Sequence, residues 1–186
     1  MEMQGARQLA ITQQQAWEAL NDPEVLKLCI PGCDSIESTG DNAYDLVNAI
    51  KVGPVAAKFK GSIQLADVNA PHSYTLNFEG NGGVAGFGKG SAQVSLAPRD
   101  EGCELAYTVS ASVGGKIAQV GQRLIDGVAK SMAESFFKRF DEEMQRRHGP
   151  AEEEPEAKPG ALKKMWSRLK GGAKDADAAT DGDGET

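Results

Sequence analysis

The sequence predicts an α+β domain in which a curved, seven-stranded antiparallel sheet closes over one long C-terminal helix. Three features lead there. Between residue 115 and about 147 the apolar side chains fall at Ile117, Val120, Leu124, Val128, Met132, Phe136, Phe140 and Met144, spaced by three and four, which draws one stripe along an amphipathic helix. From 33 to 113 apolar and polar residues alternate instead, with turn residues at regular intervals, the pattern of a meander with one wet face. Beyond about residue 148 both patterns vanish. A helix with an apolar stripe must bury it, and the partner this chain offers is the sheet.

Residues 2 to 11 read as the first strand. Thr12 then offers a capping hydroxyl to a short helix carrying Ala16, Trp17 and Leu20, because a side-chain oxygen there accepts from an otherwise unpaired N–H of the first turn. Asn21-Asp22-Pro23 ends that helix and opens a second, with Asp22 as the cap and Pro23 at the first helical position, where a missing N–H is harmless. Pro31-Gly32 stops it. Six strands follow, divided by turns at 39–42, 52–54, 69–71, 80–83 and 98–102. Tyr44, Leu46 and Ile50, then Phe59, Ile63 and Leu65, then Tyr74, Leu76 and Phe78, then Val94 and Leu96, then Leu105, Tyr107, Val109 and Val113 fall on one face. Thr75, Asn77, Glu79, Gln93, Ser95, Thr108 and Ser110 fall on the other. On the final helix Ile125 and Phe137 widen the stripe, and residues such as Arg123, Asp126, Lys130 and Glu134 form its solvated back.

The domain is expected to span residues 1–148. A proline-containing acidic linker (149–160, with Glu152-Glu153-Glu154) leads to a short basic amphipathic helix (161–171) and a disordered acidic tail (172–186). In that short helix Leu162, Met165, Trp166 and Leu169 share one face, and Lys163, Lys164, Arg168 and Lys170 supply its charge. Such a segment suits an anionic membrane surface or an acidic groove on a partner.

The 186 residues carry a formal charge of −7, and no basic stripe runs along the body, so nucleic acid is excluded as a partner. Three cysteines without a secretory leader fit a reducing compartment, and no run approaches the ~20 apolar residues of a membrane span. A cytoplasmic location is expected. Cys29 and Cys33 read as small buried residues at a turn, with a redox pair as the alternative. His72 and His148 lie too far from the cysteines to complete a metal site, and no metal is expected. Gly83-Val84-Ala85-Gly86-Phe87-Gly88-Lys89 is one residue short of a phosphate loop and leads into a strand, so nucleotide binding is set aside. It reads as a glycine-rich hairpin that lets the sheet bend, or as a lip over a cavity with Phe87 as its large side chain. No nucleophile has a base partner, and no catalytic residue is assigned.

The order of elements is that of the helix-grip or START-like fold, an analogy of architecture that does not by itself give function. Several strings sharpen it: Trp17 with Leu20-Asn-Asp-Pro-Glu-Val-Leu26, Cys29-Ile-Pro-Gly-Cys33, Val52-Gly-Pro-Val55, Phe59-Lys-Gly61, Gly86-Phe-Gly-Lys-Gly90, the run from Gly114 to Ile125, and Phe136-Phe137. Together, over about residues 1 to 145, they resemble the carbon monoxide dehydrogenase CoxG family of the SRPBCC superfamily. The resemblance implies a non-catalytic accessory of a molybdenum hydroxylase of the carbon monoxide dehydrogenase type, peripheral to the cytoplasmic membrane. It also implies a lipophilic ligand, a quinone such as menaquinone or ubiquinone, linking the dehydrogenase to the respiratory chain, with no covalently bound cofactor.

Gly114, Gly115, Ala118, Gly121, Gly127, Ala129 and Ala133 lie along the front of the final helix. They either leave volume opposite a concave sheet or permit close packing on it. On the first reading the ligand cavity is lined by Val120, Leu124, Val128 and Met132, with Phe78, Phe87 and Tyr107 opposite. Two other functions remain open on the residues alone: an enzyme of this superfamily acting on a hydrophobic substrate, and a recruitment adaptor with no ligand. Convergent polar groups inside the cavity would mark the enzyme.

Overall fold

The computed structural model describes residues 1–149. The expected linker, the basic amphipathic helix with Trp166, and the acidic tail lie outside the described residues. The elements run β1 (Glu2–Leu9), α1 (Gln13–Leu20), α2 (Pro23–Cys29), β2 (Cys33–Gly40), β3 (Ala43–Val52), β4 (Val55–Asn69), β5 (Ser73–Asn81), β6 (Phe87–Arg99), β7 (Gly102–Gly114) and α3 (Gln122–His148). Short 3₁₀ turns occupy Gly83–Ala85 and Lys116–Val120. All strand pairs are antiparallel, in the spatial order β1-β7-β6-β5-β4-β3-β2. The first strand therefore pairs with the last, and α1 and α2 carry the chain from one edge of the sheet to the other.

Local chemistry sets the helix starts. Thr12 Oγ1 accepts from the Gln15 N–H at 3.2 Å, and Gln15 Oε1 accepts from the Thr12 N–H at 3.0 Å, a reciprocal cap that satisfies two orphan donors at once. Asp22 Oδ1 accepts from the Glu24 N–H at 2.9 Å with Pro23 just inside the helix. Both caps stand where the sequence puts them.

The C-terminal helix departs from the expected one. The expected stripe starts at Ile117, but the chain turns as 3₁₀ through Lys116–Val120, breaks at Gly121 (φ 97°), and only then enters α3. Of the expected stripe, only Leu124 is turned outward after the break. Ile125, not Leu124, is buried at the start of α3, and Leu124 is 41% exposed. From there inward positions pass through half-buried Val128, Ala129, Met132 and Ala133 to Phe136, then buried Phe137, Phe140 and Met144.

Three apolar clusters hold the domain. One joins α1, α2, β1 and the far half of α3 through Leu9, Ala16, Leu20, Val25, Cys29, Leu105, Phe137, Phe140 and Met144. A second, at the other end of the sheet, gathers Val52, Phe59, Ala85, Ile117 and Ile125. The third packs Ile36, Tyr44, Leu65 and Tyr74 beneath Trp17 and Leu26, with the Trp17 ring edge-on to Tyr74 at 5.5 Å. Near the end of α3 the buried Glu143 carboxylate accepts from Arg146 (2.8 and 2.6 Å) and from Arg147 Nε (2.6 Å). Arg147 reaches on to Asp22 Oδ2 at 3.3 Å, which ties the helix to the cap of α2. The Arg146 hydrogen bonds, seconded by those from Arg147, outweigh burial and pull the Glu143 carboxyl down to about 2.

Candidate ligand cavity

Strand alternation aims Leu46, Asn48 and Ile50 of β3, Phe59, Gly61 and Ile63 of β4, and Leu76 and Phe78 of β5 to the concave side. The ladders set them face to face: Leu46 opposite Gly61, Asn48 opposite Phe59, Ile63 opposite Phe78. Between the second and third clusters these side chains line a half-open cavity of about 310 Å³, finished by Phe87, Val113 and Ile117. That is the lower end of the range for small-molecule sites.

Glycines shape it. Gly61 and Gly80 pair across β4 and β5, and a Cβ on Gly61 would come within 2.8 Å of the Glu79 carbonyl and 3.2 Å of the Leu46 side chain. Next to Phe87, Gly86 (φ 115°) and Gly115 (φ 80°) touch main chain to main chain. A Cβ on the first would collide with the Gly114 carbonyl oxygen, and one on the second would lie 2.6 Å from Gly86 Cα. The Phe87 ring lies over Gly114 and is 49% exposed, and Val84, on the 3₁₀ turn beside it, is 91% exposed.

The lining is apolar with one exception. Asn48 is 7% exposed, and its Oδ1 is buried with no hydrogen-bond partner. Glu79 borders the cavity, but alternation turns its carboxylate to the wet face, where it accepts from Ser62 Oγ at 3.4 Å.

The sequence-based site residues divide accordingly. Phe78 and Phe87 line the cavity. Tyr107 does not: it stacks on Phe137 at 5.5 Å between centroids, within the core that packs α3 on α1 and α2. Val120 and Val128 pack behind the wall, against the cluster containing Phe59 and Ile117, and Met132 is half-buried further along α3. Leu124 faces outward near Gly53. Of these helix residues only Leu124 is turned out after Gly121; Val120, Val128 and Met132 stay partly buried without reaching the hollow, whose lining comes from the sheet and Ile117. Asn48 was missed, although an asparagine between Leu46 and Ile50 in an otherwise apolar alternating row is a visible signal.

Elsewhere the titratable groups are structural. All three cysteines are free; burial pushes the Cys29 thiol up to about 11 and raises Cys33 and Cys103, which favours the protonated thiol at neutral pH. His72 and His148 engage Gln13 and Gln15 near the surface at 3.0 and 3.2 Å. Among the described residues, no His, Cys, Asp and Glu group is arranged to hold a metal ion, and no helix is long and apolar enough to cross a membrane.

A seven-stranded sheet gripping a long helix, with an apolar hollow between the clusters that join them, defines a helix-grip domain of the START-like type. The family model for the CoxG subunit of carbon monoxide dehydrogenase matches residues 5–145, and the chain belongs to that family. Among solved structures, a conserved protein from Geobacillus kaustophilus is 37% identical, with a TM-score of 0.74 over 78% of this chain and 96% of that one. A protein from Thermus thermophilus (15% identity, TM-score 0.61, 80% and 99% of the two chains) and one from Rhizobium leguminosarum (11%, 0.62, 78% and 95%) share the fold. The comparison with curated proteins gives no match.

Proposed function

We propose that this protein is a non-catalytic accessory of a molybdenum hydroxylase of the carbon monoxide dehydrogenase type, which holds a quinone in the cavity and links the dehydrogenase to the membrane respiratory chain. The observation that carries this reading is the cavity itself: about 310 Å³ of apolar wall built from Ile50, Ile63, Leu76, Phe78 and Val113, in a chain of the CoxG family. Its size suits a ring head group, with an isoprenoid chain leaving past Phe87. Each buried CH₂ of the ligand contributes about 0.8 kcal/mol, so a ring and a few carbons supply micromolar affinity after association costs. The single carboxamide in the lining supports carrying over converting, since acid–base chemistry needs titratable groups at the reacting atoms.

Solvent extraction and mass spectrometry of protein purified from a quinone-rich host are expected to recover an unmodified quinone. Titration with a short-chain menaquinone or ubiquinone analogue is expected to saturate. Val113→Trp, which fills the cavity from β7, should weaken that binding at least about tenfold while the domain stays folded, with strain of about 1–3 kcal/mol. No extractable quinone and no saturation would leave an adaptor without a ligand. Membrane contact is assigned to the basic segment around Trp166. In a Trp17→Phe background, anionic vesicles at low salt should shift Trp166 emission to the blue, and high salt should abolish the shift; a shift produced by the dehydrogenase alone would make the segment a protein-docking element.

A further inference from the structure

The two ends of the sheet differ in their chemistry. At one end three turns meet over the cluster of Val52, Phe59, Ala85, Ile117 and Ile125: residues 53–54 between β3 and β4, 82–86 between β5 and β6, and 115–121 between β7 and α3. Across 51–57, 82–87 and 114–124 the only charges are Lys51, Lys116 and Arg123, with no Asp or Glu. All three cations are exposed, and none forms an ion pair among the described residues. The described residues expose five large apolar side chains, and three stand at this end: Val84 (91%), Phe87 (49%) and Leu124 (41%). Leu124 spans two of the turns, since a Cβ on Gly53 would lie 2.9 Å from its Cδ2. At the opposite end the hairpin turns 41–42, 70–72 and 100–101 hold Asp41, Asp100 and Glu101 and no Lys or Arg. Arg99, just inside that end, is paired with Glu104 at 2.7 Å.

We propose that the end carrying Val84, Phe87 and Leu124 docks on an anionic bilayer, with these side chains entering the headgroup layer and Lys51, Lys116 and Arg123 lying against lipid phosphates. The turn that carries Val84 is built for this. The Gly82 N–H donates to Gly86 O at 2.8 Å, the Gly86 N–H to Gly83 O at 3.1 Å, and the Gly83 N–H to Asn81 Oδ1 at 2.8 Å. Donors satisfied within the turn lower the cost of entering a less polar layer. Small apolar side chains on separate turns, flanked by unpaired cations, suit shallow insertion into an interface; a protein partner is held instead by aromatic and Arg anchors seated in pockets. The same surface repels the acidic turns at the far end, so charge selects one orientation. In that orientation the side of the hollow finished by Phe87 and Ile117 faces the lipid. The contact is separate from the segment around Trp166 and does not require the ligand to be a quinone.

The test uses the full chain with Trp17→Phe and Trp166→Phe, so that one new tryptophan reports on its own surroundings. Val84→Trp puts it on the docking end, and Thr39→Trp puts it beside the acidic turn between β2 and β3; both positions are exposed. With vesicles of phosphatidylcholine and phosphatidylglycerol at low salt, emission of the Val84→Trp chain should move to the blue and be quenched by brominated lipid, while the Thr39→Trp chain stays unchanged. Phosphatidylcholine alone should give no shift. Lys51→Gln, Lys116→Gln and Arg123→Gln, each added to the Val84→Trp chain, should weaken the vesicle partition about fivefold. In the unmodified chain the same anionic vesicles should slow amide exchange at 82–86 and 115–124 but not at 41–42 or 100–101, a readout that needs no variant to fold. An unshifted Val84→Trp chain, an equal shift in the Thr39→Trp chain, or partition indifferent to the three cations overturns the docking end. A shift produced by the dehydrogenase and not by vesicles overturns it too, and makes this end a protein-docking surface. Quinone titration is scored separately, so the carrier reading can fail while this contact stands, and the reverse.

Discussion

The two halves of α3 are made of the same kind of sequence and hold the protein in different ways. From Phe136 onward the helix is driven into the domain: Phe137, Phe140 and Met144 are buried among α1, α2 and the β1–β7 edge, and the Glu143–Arg147–Asp22 chain fastens its end. From Gln122 to Met132 only Ile125 is buried, Leu124 faces out, and Gly127 has open space around it. A helix draws its stability from the face it packs. The far half is therefore core, and the near half is a cover resting on the cluster behind the cavity wall. Local opening free energies follow buried contacts, so the part of the molecule beside the hollow is the part with the least to lose by moving.

The largest effect that would break this contrast lies at Phe140, which is fully buried. Phe140→Ala should cost about 3–5 kcal/mol in denaturant unfolding, against at most about 0.5–1 kcal/mol for Leu124→Ala. Comparable losses would show the near half to be core as well. A finer version places a carboxylate on adjacent residues. Ile125→Asp should destabilise by about 3 kcal/mol or more, because the charge enters the cluster formed by Val52, Phe59 and Ile117. Leu124→Asp should cost a small fraction of that, and a reversed order in melting temperature would put the helix phase back where the uninterrupted stripe had it.

The smallest effect is a pH dependence confined to the far half. Hydrogen bonds from Arg146, then Arg147, lower the Glu143 carboxyl from 4.5 to about 2. A depressed folded-state value means the stabilisation is fully present above pH 4.5 and is lost as the pH falls from there toward 2. Glu143→Gln should flatten the melting profile across that window, so that acid lowers its melting temperature less than the parent's. An identical acid profile in the variant would remove Glu143 as the fastening group.

The strands, their turns and both helix caps were legible because they depend on neighbours in sequence: alternation, a hydroxyl before a helix, a proline at its first position. Where α3 begins was not, because Ile117, Val120 and Leu124 keep helical spacing straight across Gly121, and only the backbone angle there reveals the break. The inward rows of β3 to β5 were read correctly as an apolar face. Which of those residues fill the core and which wall a hollow depends on how far α3 stands from them, a distance no local pattern encodes. Asn48 was readable in principle, as a polar residue on the wrong beat of its strand. Its significance emerges only when the fold leaves its oxygen unpaired.

The meeting of Gly86 and Gly115 fixes which residues beside the hollow can vary. The contact is bare peptide, and every larger residue at either position collides with the chain opposite, so natural drift and laboratory mutagenesis alike have no gradation to explore there. The free margin at Val84 and Phe87 is the opposite, since the first side chain stands in solvent and the second is half out of it. Those two side chains can therefore be exchanged while the line of peptide behind them stays constant, in the way a valve is resized by changing its seat and not its body.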